Sequence, residues 1–333
     1  MGSGEWPCPR RGEKKSLVDL PPASPGDGDG ASGTSPQEQR RWPMLRDVIG
    51  LAEAKEIVRD ALINPLRHPD IFRTLAVAPG AGLLLYGLPG TGKTMFAKAV
   101  ANELEIPFLH CKMSELRGVS GNATEANVSR VFAQARDAGQ CVLFLDECDA
   151  MLYRRGNQRS TLVEQFLVEL DGFKDNASPA SQVFVMLATN RPWLLDPAIL
   201  RSGRISTMVH IDLPNAEARR EIIRGALQQI PLSSDVDLEK LVTLTDGYSS
   251  AELFHREHGG GVCDEAKRLA VRRWIERRDG SPQDSEVWSQ PEAVRWEDFQ
   301  IALKKVVPIR LAEPELVRQL EEFRGKAGAD SVV

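Results

Sequence analysis

One glycine-rich octapeptide decides the fold of this chain: Gly87-Leu88-Pro89-Gly90-Thr91-Gly92-Lys93-Thr94. It lies between the apolar run Leu83–Tyr86 and a helix-forming run that starts at Met95. The pattern G-x-x-x-x-G-K-[ST] between a strand and a helix predicts a phosphate-binding loop. We expect Lys93 to reach the β- and γ-phosphates of ATP and the Thr94 hydroxyl to bind Mg²⁺. The positive end of the following helix faces the same phosphates.

The composition limits the classes of function. With 333 residues, 42% of them hydrophobic and 27% charged, the chain can bury one large core and a smaller one. A net charge of −5 favours neither nucleic acid nor an anionic membrane, so no direct nucleic-acid partner is expected. The five cysteines form no C-x-x-C pair, which indicates reduced thiols and a cytoplasmic location. No apolar run reaches the roughly 20 residues that a transmembrane helix needs.

The chain divides into four parts. Residues 1–43 are rich in Pro, Gly and Ser and predict a disordered tail. Residues 44–213 alternate strand-like and helix-like segments, which predicts an α/β domain: a parallel P-loop sheet flanked by helices. Residues 214–308 contain only helix-like segments and predict a small all-helical lid, and residues 309–333 predict a C-terminal helix and tail. The expected strands are 83–86, 108–112, 141–145, 183–188 and the edge-like 207–211.

Acidic residues follow the apolar strand 141–145, where Asp146, Glu147 and Asp149 stand close together. The carboxyl ends of parallel strands form the ligand crevice, so these side chains should lie beside the phosphates. A phosphate-loop ATPase needs one acid near Mg²⁺ and another to orient and deprotonate the attacking water. Asp146 fits the first task and Glu147 the second. After the next strand, Asn190 can hold the water or the γ-phosphate on the side opposite Lys93.

Several further stretches repeat a known order and spacing. They are 47–50 (DVIG), 144–149 (FLDECD), 167–173 (LVELDGF), 188–192 (ATNRP), 195–204 (LDPAILRSGR) and 246–253 (DGYSSAEL). Together with the phosphate loop they resemble the AAA-type (AAA+) ATPases over about residues 45–308. That group includes katanin, spastin, the endosomal-sorting and ubiquitin-dependent segregases, and the ATPase part of FtsH. The C-terminal pieces are most similar to the katanin and endosomal-sorting subgroup.

This resemblance implies a homo-oligomeric ring, usually a hexamer, with ATP at each subunit boundary. It implies that Arg201 and Arg204 act on the ATP of the neighbouring subunit and that Asn190 is a sensor of the nucleotide. It also implies that Asp171-Gly172-Phe173 relays the nucleotide state between neighbours. The residues expected at the adenine are Val48, Ile49 and Gly50, closed from the lid by Ser250 and Ala251.

Three segments depart from the family pattern. The central-pore loop falls at 119–121, where Ser120 replaces an aromatic residue that grips an extended polypeptide. A small polar residue offers little contact area for threading. The connection 155–161, where a second pore loop is expected, is short. The glycine-rich insertion 255–261 should interrupt a lid helix.

Two functions follow, and a third is disfavoured. The first is an ATP-hydrolysing ring that remodels or disassembles complexes of an unidentified protein substrate. The second is a nucleotide-dependent binding switch or assembly factor that threads no polypeptide, which Ser120 favours. A nucleic-acid motor needs a basic channel or a DNA-binding module, and the acidic chain shows neither.

Overall fold

The computed structural model describes residues 32–33, 42–75, 82–118, 121–154, 160–175, 183–201, 203–255, 260–279 and 292–330. Its centre is a six-stranded sheet in the order β1-β3-β4-β5-β2-β6. The strands are β1 Ser32–Gly33, β2 Gly82–Tyr86, β3 Phe108–Lys112, β4 Cys141–Asp146, β5 Val183–Thr189 and β6 Thr207–His210. β2 to β6 pair in parallel, and β1 joins β3 in the antiparallel sense. The predicted parallel sheet is therefore confirmed, with each of the five expected strands in place to within a residue.

The central strands are apolar on both faces because helices cover both sides of the sheet. Neighbouring residues of β2 show this directly. Leu84 belongs to the core on one side and Leu85 to the core on the other, and both are fully buried. This packing fixes the strand register, which sets the polar residues at the carboxyl ends side by side.

Helices flank the sheet of the α/β part, as predicted. They are α1 Ala52–Val58, α2 Asn64–Arg67, α3 Pro69–Thr74, α4 Lys93–Leu104, α5 Gly121–Asp137 and α6 Thr161–Asp175. α1 is followed by a π-helical turn, Arg59–Ile63. Pro65 has no N–H for the usual helical bond, and Asn64 N–H donates to Arg59 O, five residues back. The wider turn accommodates the proline.

Trp42, near the end of the predicted tail 1–43, packs against the α/β part. Its ring meets Phe108 edge-on, with 5.2 Å between ring centroids. Asn102 Nδ2 donates a hydrogen bond to Trp42 O at 3.0 Å. The residues just before the α/β part are thus fixed to β3 and to α4, the helix that starts at the phosphate loop. Residues 1–31 and 34–41 lie outside the described residues.

The helical part has its own core. Its helices are α7 Ala216–Leu227, α8 Leu238–Leu244, α9 Ser250–Leu253, α10 Val262–Asp279 and α11 Trp296–Lys305. Leu241, Leu253 and Phe299 are fully buried there, and Tyr248 Oη donates to Val306 O at 2.8 Å. The chain turns extended at Phe254 before α10 begins, so the predicted interruption of this lid helix is confirmed. Arg256–Gly259 within the insertion lie outside the described residues.

Two C-terminal helices return to the α/β part. They are α12 Ile309–Ala312 and α13 Pro314–Asp330. Leu316 and Leu320 of α13 join the larger core of the sheet, and Phe323 meets the Tyr86 ring at the end of β2. The last helix is therefore part of the α/β packing. No helix among the described residues is long and apolar enough to cross a membrane.

Candidate active site

The phosphate loop connects β2 to α4 through a tight backbone path. A Cβ on Gly87 would lie 2.2 Å from Ile211 O, so only glycine fits beside the end of β6. Lys93 is buried, and its Nζ donates to Gly87 O and Leu88 O at 3.0 and 2.9 Å. Burial lowers the Lys93 pKa to about 8, against the attraction of Asp146 and Asp149. A phosphate bound here would favour the charged ammonium and raise that pKa.

The two residues predicted to bind Mg²⁺ are in contact. Thr94 Oγ1 donates to Asp146 Oδ2 at 2.8 Å, linking the first turn of α4 to the end of β4. His110 Nε2 lies 3.9 Å from the same oxygen, and burial lowers the His110 pKa, which favours the neutral imidazole. Among the described residues no group of three or more His, Cys, Asp or Glu side chains could hold a metal alone. The pair fits Mg²⁺, which commonly takes one or two protein ligands and completes its shell with phosphate and water.

Glu147, the predicted base, has a left-handed backbone with a φ of 54°. This turn directs the chain away from β4 immediately after Asp146, whose Oδ1 accepts the Glu147 N–H at 2.9 Å. The Glu147 carboxylate accepts a hydrogen bond from Ser114 Oγ at 3.0 Å. Ser114 lies in the turn after β3 and was not predicted as a site residue. It occupies one carboxylate oxygen of the predicted base.

We expect Ser114→Ala to raise basal ATP turnover by about three- to tenfold, the effect of losing one hydrogen bond of about 1 kcal/mol. The freed carboxylate has both oxygens available for water. Steady-state phosphate release at saturating ATP measures the change. Ser129→Ala is the matched control, because that hydroxyl accepts from Gln165 in the α5–α6 contact. Unchanged or reduced turnover in Ser114→Ala would show that this hydrogen bond does not restrain the base.

The loop after β5 is tied to the loop after β4. Thr189 Oγ1 donates to Asp149 Oδ1 at 2.6 Å and accepts from the Arg191 N–H at 2.9 Å. Between them stands Asn190, whose Oδ1 is buried and accepts no hydrogen bond from a described residue. A buried amide oxygen without a donor is costly and is expected to meet a water or ligand hydrogen. The predicted sensor is thus held at the crevice with an unsatisfied acceptor.

The two predicted arginine fingers lie in the segment between β5 and β6. Arg204 forms a two-point ion pair with Asp171, with Nη2 and Nε at 2.7 and 3.2 Å from the carboxylate oxygens. It also donates to Ala198 O, and the Asp171 hydrogen bond raises the Arg204 pKa further. Arg201 is exposed. Among the described residues, no hydrogen bond or ion pair joins either arginine to the phosphate loop.

The lid meets the phosphate loop directly. Ala251 N–H donates to Gly90 O at 3.0 Å, and a Cβ on Gly90 would lie 2.8 Å from Ser249 Oγ. Val48 is buried, and Gly50 packs against the lid residue Ala218. The predicted lid segment therefore contacts the phosphate loop, and the predicted adenine segment contacts the lid. Within the phosphate loop, Thr91 Oγ1 donates to Leu88 O at 2.8 Å.

Gly90→Ala should weaken ATP binding, because its φ of +76° disfavours any side chain and its Cβ would push the lid away. We expect at least a tenfold rise in the ATP dissociation constant, measured by titration with a fluorescent ATP analogue. Gly225→Ala is the control, since nothing lies within 4 Å of a Cβ there. Equal affinity in both variants would show that the lid contact does not shape the site.

Comparison with known proteins agrees with this geometry. Residues 83–213 match the model of the ATPase family associated with various cellular activities (AAA). Residues 83–213 form an AAA ATPase domain. Over 267 residues it is 38% identical to a Cell division cycle protein 48 homolog of Archaeoglobus fulgidus. That alignment covers 79% of this chain and 35% of the relative, so the chain spans about a third of the relative's length.

The AAA match covers the phosphate loop, the acids after β4, Asn190 and both arginines, all within 83–213. It supports ATP as the bound nucleotide, with Mg²⁺ as its usual companion. The roles of individual residues, the domain boundaries and the likeness to the katanin and endosomal-sorting subgroup stay predictions. The pore position Ser120 and the short connection 155–159 lie outside the described residues.

Proposed function

We propose that the chain binds ATP with Mg²⁺ and hydrolyses it to ADP and phosphate. One observation carries the proposal: Lys93, the Thr94–Asp146 pair, Glu147 and the unsatisfied Asn190 amide converge at the carboxyl edge of the sheet. Ligands of open parallel sheets bind at this edge. Bound Mg²⁺ would neutralise charge on the phosphates.

Each group of residues in the site has a separate proposed role. The N–H groups of the phosphate loop and Lys93 stabilise the negative charge of the phosphates. Glu147 accepts a proton from the attacking water, and Asn190 holds that water or the γ-phosphate by its amide. Thr94 and Asp146 keep the metal side of the site in place. Because the groups stand on packed strand ends, they need little rearrangement before the reaction.

We further propose that the chain works as a homo-oligomeric ring, with six subunits as the expected number, which remodels or disassembles protein complexes. The position of the arginines supports this arrangement. Arg201 is exposed and Arg204 is held by Asp171, and among the described residues neither has a hydrogen bond or ion pair with the phosphate loop of its own subunit. An arginine that completes a neighbour's site makes turnover depend on assembly.

Turnover of ATP at increasing protein concentration tests the proposal. The expected specific activity rises with concentration and then levels off as the ring saturates, and removal of Mg²⁺ with a chelator abolishes it. A specific activity that stays constant from dilute to concentrated protein would mean that each subunit acts alone. That result would replace the remodelling ring by a nucleotide-dependent binding switch.

A further inference from the structure

A second concave site lies outside the nucleotide site. A groove of about 510 Å³ separates the loop after β5 from the junction of α12 and α13. Its lining includes Arg191, Trp193 and Leu194 on one side, and Glu313, Glu315 and Leu316 on the other. The volume is in the range of ligand and peptide sites. None of the residues predicted to contact ATP lines it.

The floor of the groove is apolar and partly open. Leu194 is 39% exposed and Trp193 is half-buried, while Leu316 is buried beneath them. Ala312 and Pro314, at the junction of α12 and α13, complete the apolar part of the lining. An indole and two leucines gathered in one concave surface form a patch of the type that binds apolar side chains of a partner.

Two opposite charges on the lining are available. Arg191 and Glu313 are exposed, and neither side chain has a hydrogen bond or ion pair with another described residue. Glu315 differs, because Arg318 and Gln319 of the same helix occupy its carboxylate. The groove therefore offers one cation and one anion beside an apolar floor. This pattern selects a ligand with a carboxylate, an apolar centre and an ammonium or guanidinium group.

The floor is also joined to the catalytic loops. Arg191 directly follows Asn190, and its N–H is fixed by Thr189. Further along, Leu194 O accepts from Arg154 N–H, and Asp196 N–H donates to Leu152 O. These bonds fasten the loop to the segment that follows Glu147. A ligand in the groove would thus contact the loop that carries Asn190, the predicted sensor. That loop is hydrogen-bonded to the segment that follows Glu147, the predicted base.

We propose that this groove docks an extended segment of a protein partner that reads acidic, apolar, apolar, basic. The acidic side chain pairs with Arg191, the apolar residues cover Trp193 and Leu194, and the basic side chain pairs with Glu313. The charge complementarity and the exposed Leu194 beside Trp193 carry this assignment. Docking itself requires no nucleotide; its effect on turnover, through Asn190, rests on the proposed ATPase function.

Fluorescence anisotropy with labelled peptides tests the docking without ATP. The probes are Gly-Asp-Leu-Leu-Lys-Gly, the same peptide with Ser for both Leu, and Gly-Lys-Leu-Leu-Lys-Gly. The unmodified protein should prefer the first probe over each of the others by about tenfold, the value of one charged or apolar contact. Arg191→Glu should reverse the preference between the two leucine peptides by a similar factor. Arg272→Glu, an exposed change on α10, should match the unmodified protein.

Three results would overturn the proposal. The first is equal binding of the leucine and serine peptides, and the second is an unchanged preference in Arg191→Glu. The third combines two observations: no probe binds, and sedimentation shows a dimer that the Arg191→Glu change dissociates. That result would assign the groove to a second copy of the chain. Thermal unfolding of each variant verifies that it folds. If the peptide binds but turnover does not respond, docking stands and only the coupling to Asn190 fails.

Discussion

Glu147→Gln should bind ATP as tightly as the unmodified protein and hydrolyse it about 10²–10⁴-fold more slowly, the usual contribution of a general base. Gln keeps the size of the side chain and can still accept the Ser114 hydrogen bond through its amide oxygen. It cannot take a proton from water. The variant therefore separates binding from chemistry and should hold the proposed ring in its ATP form.

Two measurements on the same sample check this result. A fluorescent ATP analogue measures affinity, and single-turnover hydrolysis of labelled ATP measures the chemical step. Glu115→Gln serves as the control, because Glu115 is an exposed carboxylate next to Ser114. A Glu147→Gln protein with undiminished turnover would mean that the base is misassigned. Loss of ATP binding in that variant would mean that the carboxylate is needed for the fold of the loop.

The sequence predicted most of the fold because its signals are local. The strand before Gly87, the acids after β4 and Asn190 after β5 are each defined by an apolar run and the residue that ends it. A parallel sheet then brings those ends together without further information. The register of β2 against β5 follows from burial of both faces, so the predicted site residues could be assigned to one edge of the sheet without knowledge of any loop.

Contacts between distant segments were not predictable in the same way. Ser114 and Glu147 are 33 positions apart, as are Asp171 and Arg204, and each pair depends on where a connecting turn places one side chain. Sequence spacing carries no information about such distances unless a strand or helix fixes them. The groove beside Trp193 was missed for the same reason, since α13 packs on the sheet from more than a hundred residues away.

The ion pair between Arg204 and Asp171 constrains how an arginine finger can work. The guanidinium has two bonds to the carboxylate and a third to Ala198 O, so it is oriented before any neighbour arrives. Asp171 is about half exposed, so this pair adds little to stability. The pair instead limits the positions that the Arg204 guanidinium can take. Arg204 reaches a neighbour's phosphates either with Asp171 still attached or by exchanging the carboxylate for phosphate.

Arg204→Ala should reduce turnover about 10³-fold or more, as expected for loss of an arginine that stabilises the transferred phosphoryl group. Each subunit keeps its own Lys93 and Asp146, so ATP binding should be unchanged. Phosphate release at a protein concentration that saturates the ring measures the effect. Arg224→Ala, an exposed arginine of α7, is the matched control.

A mixture of two inactive variants decides whether the arginine acts across the boundary. Arg204→Ala subunits retain Glu147, and Glu147→Gln subunits retain Arg204. If the finger serves the neighbour, random mixing in equal amounts recreates a complete site at about a quarter of the interfaces, and turnover returns to that fraction. If Arg204 serves its own subunit, every site in the mixture lacks one group and turnover stays at the level of the separate variants. Recovered activity in the mixture therefore requires a shared site, whereas a simple loss in Arg204→Ala is also explained by local damage at Asp171.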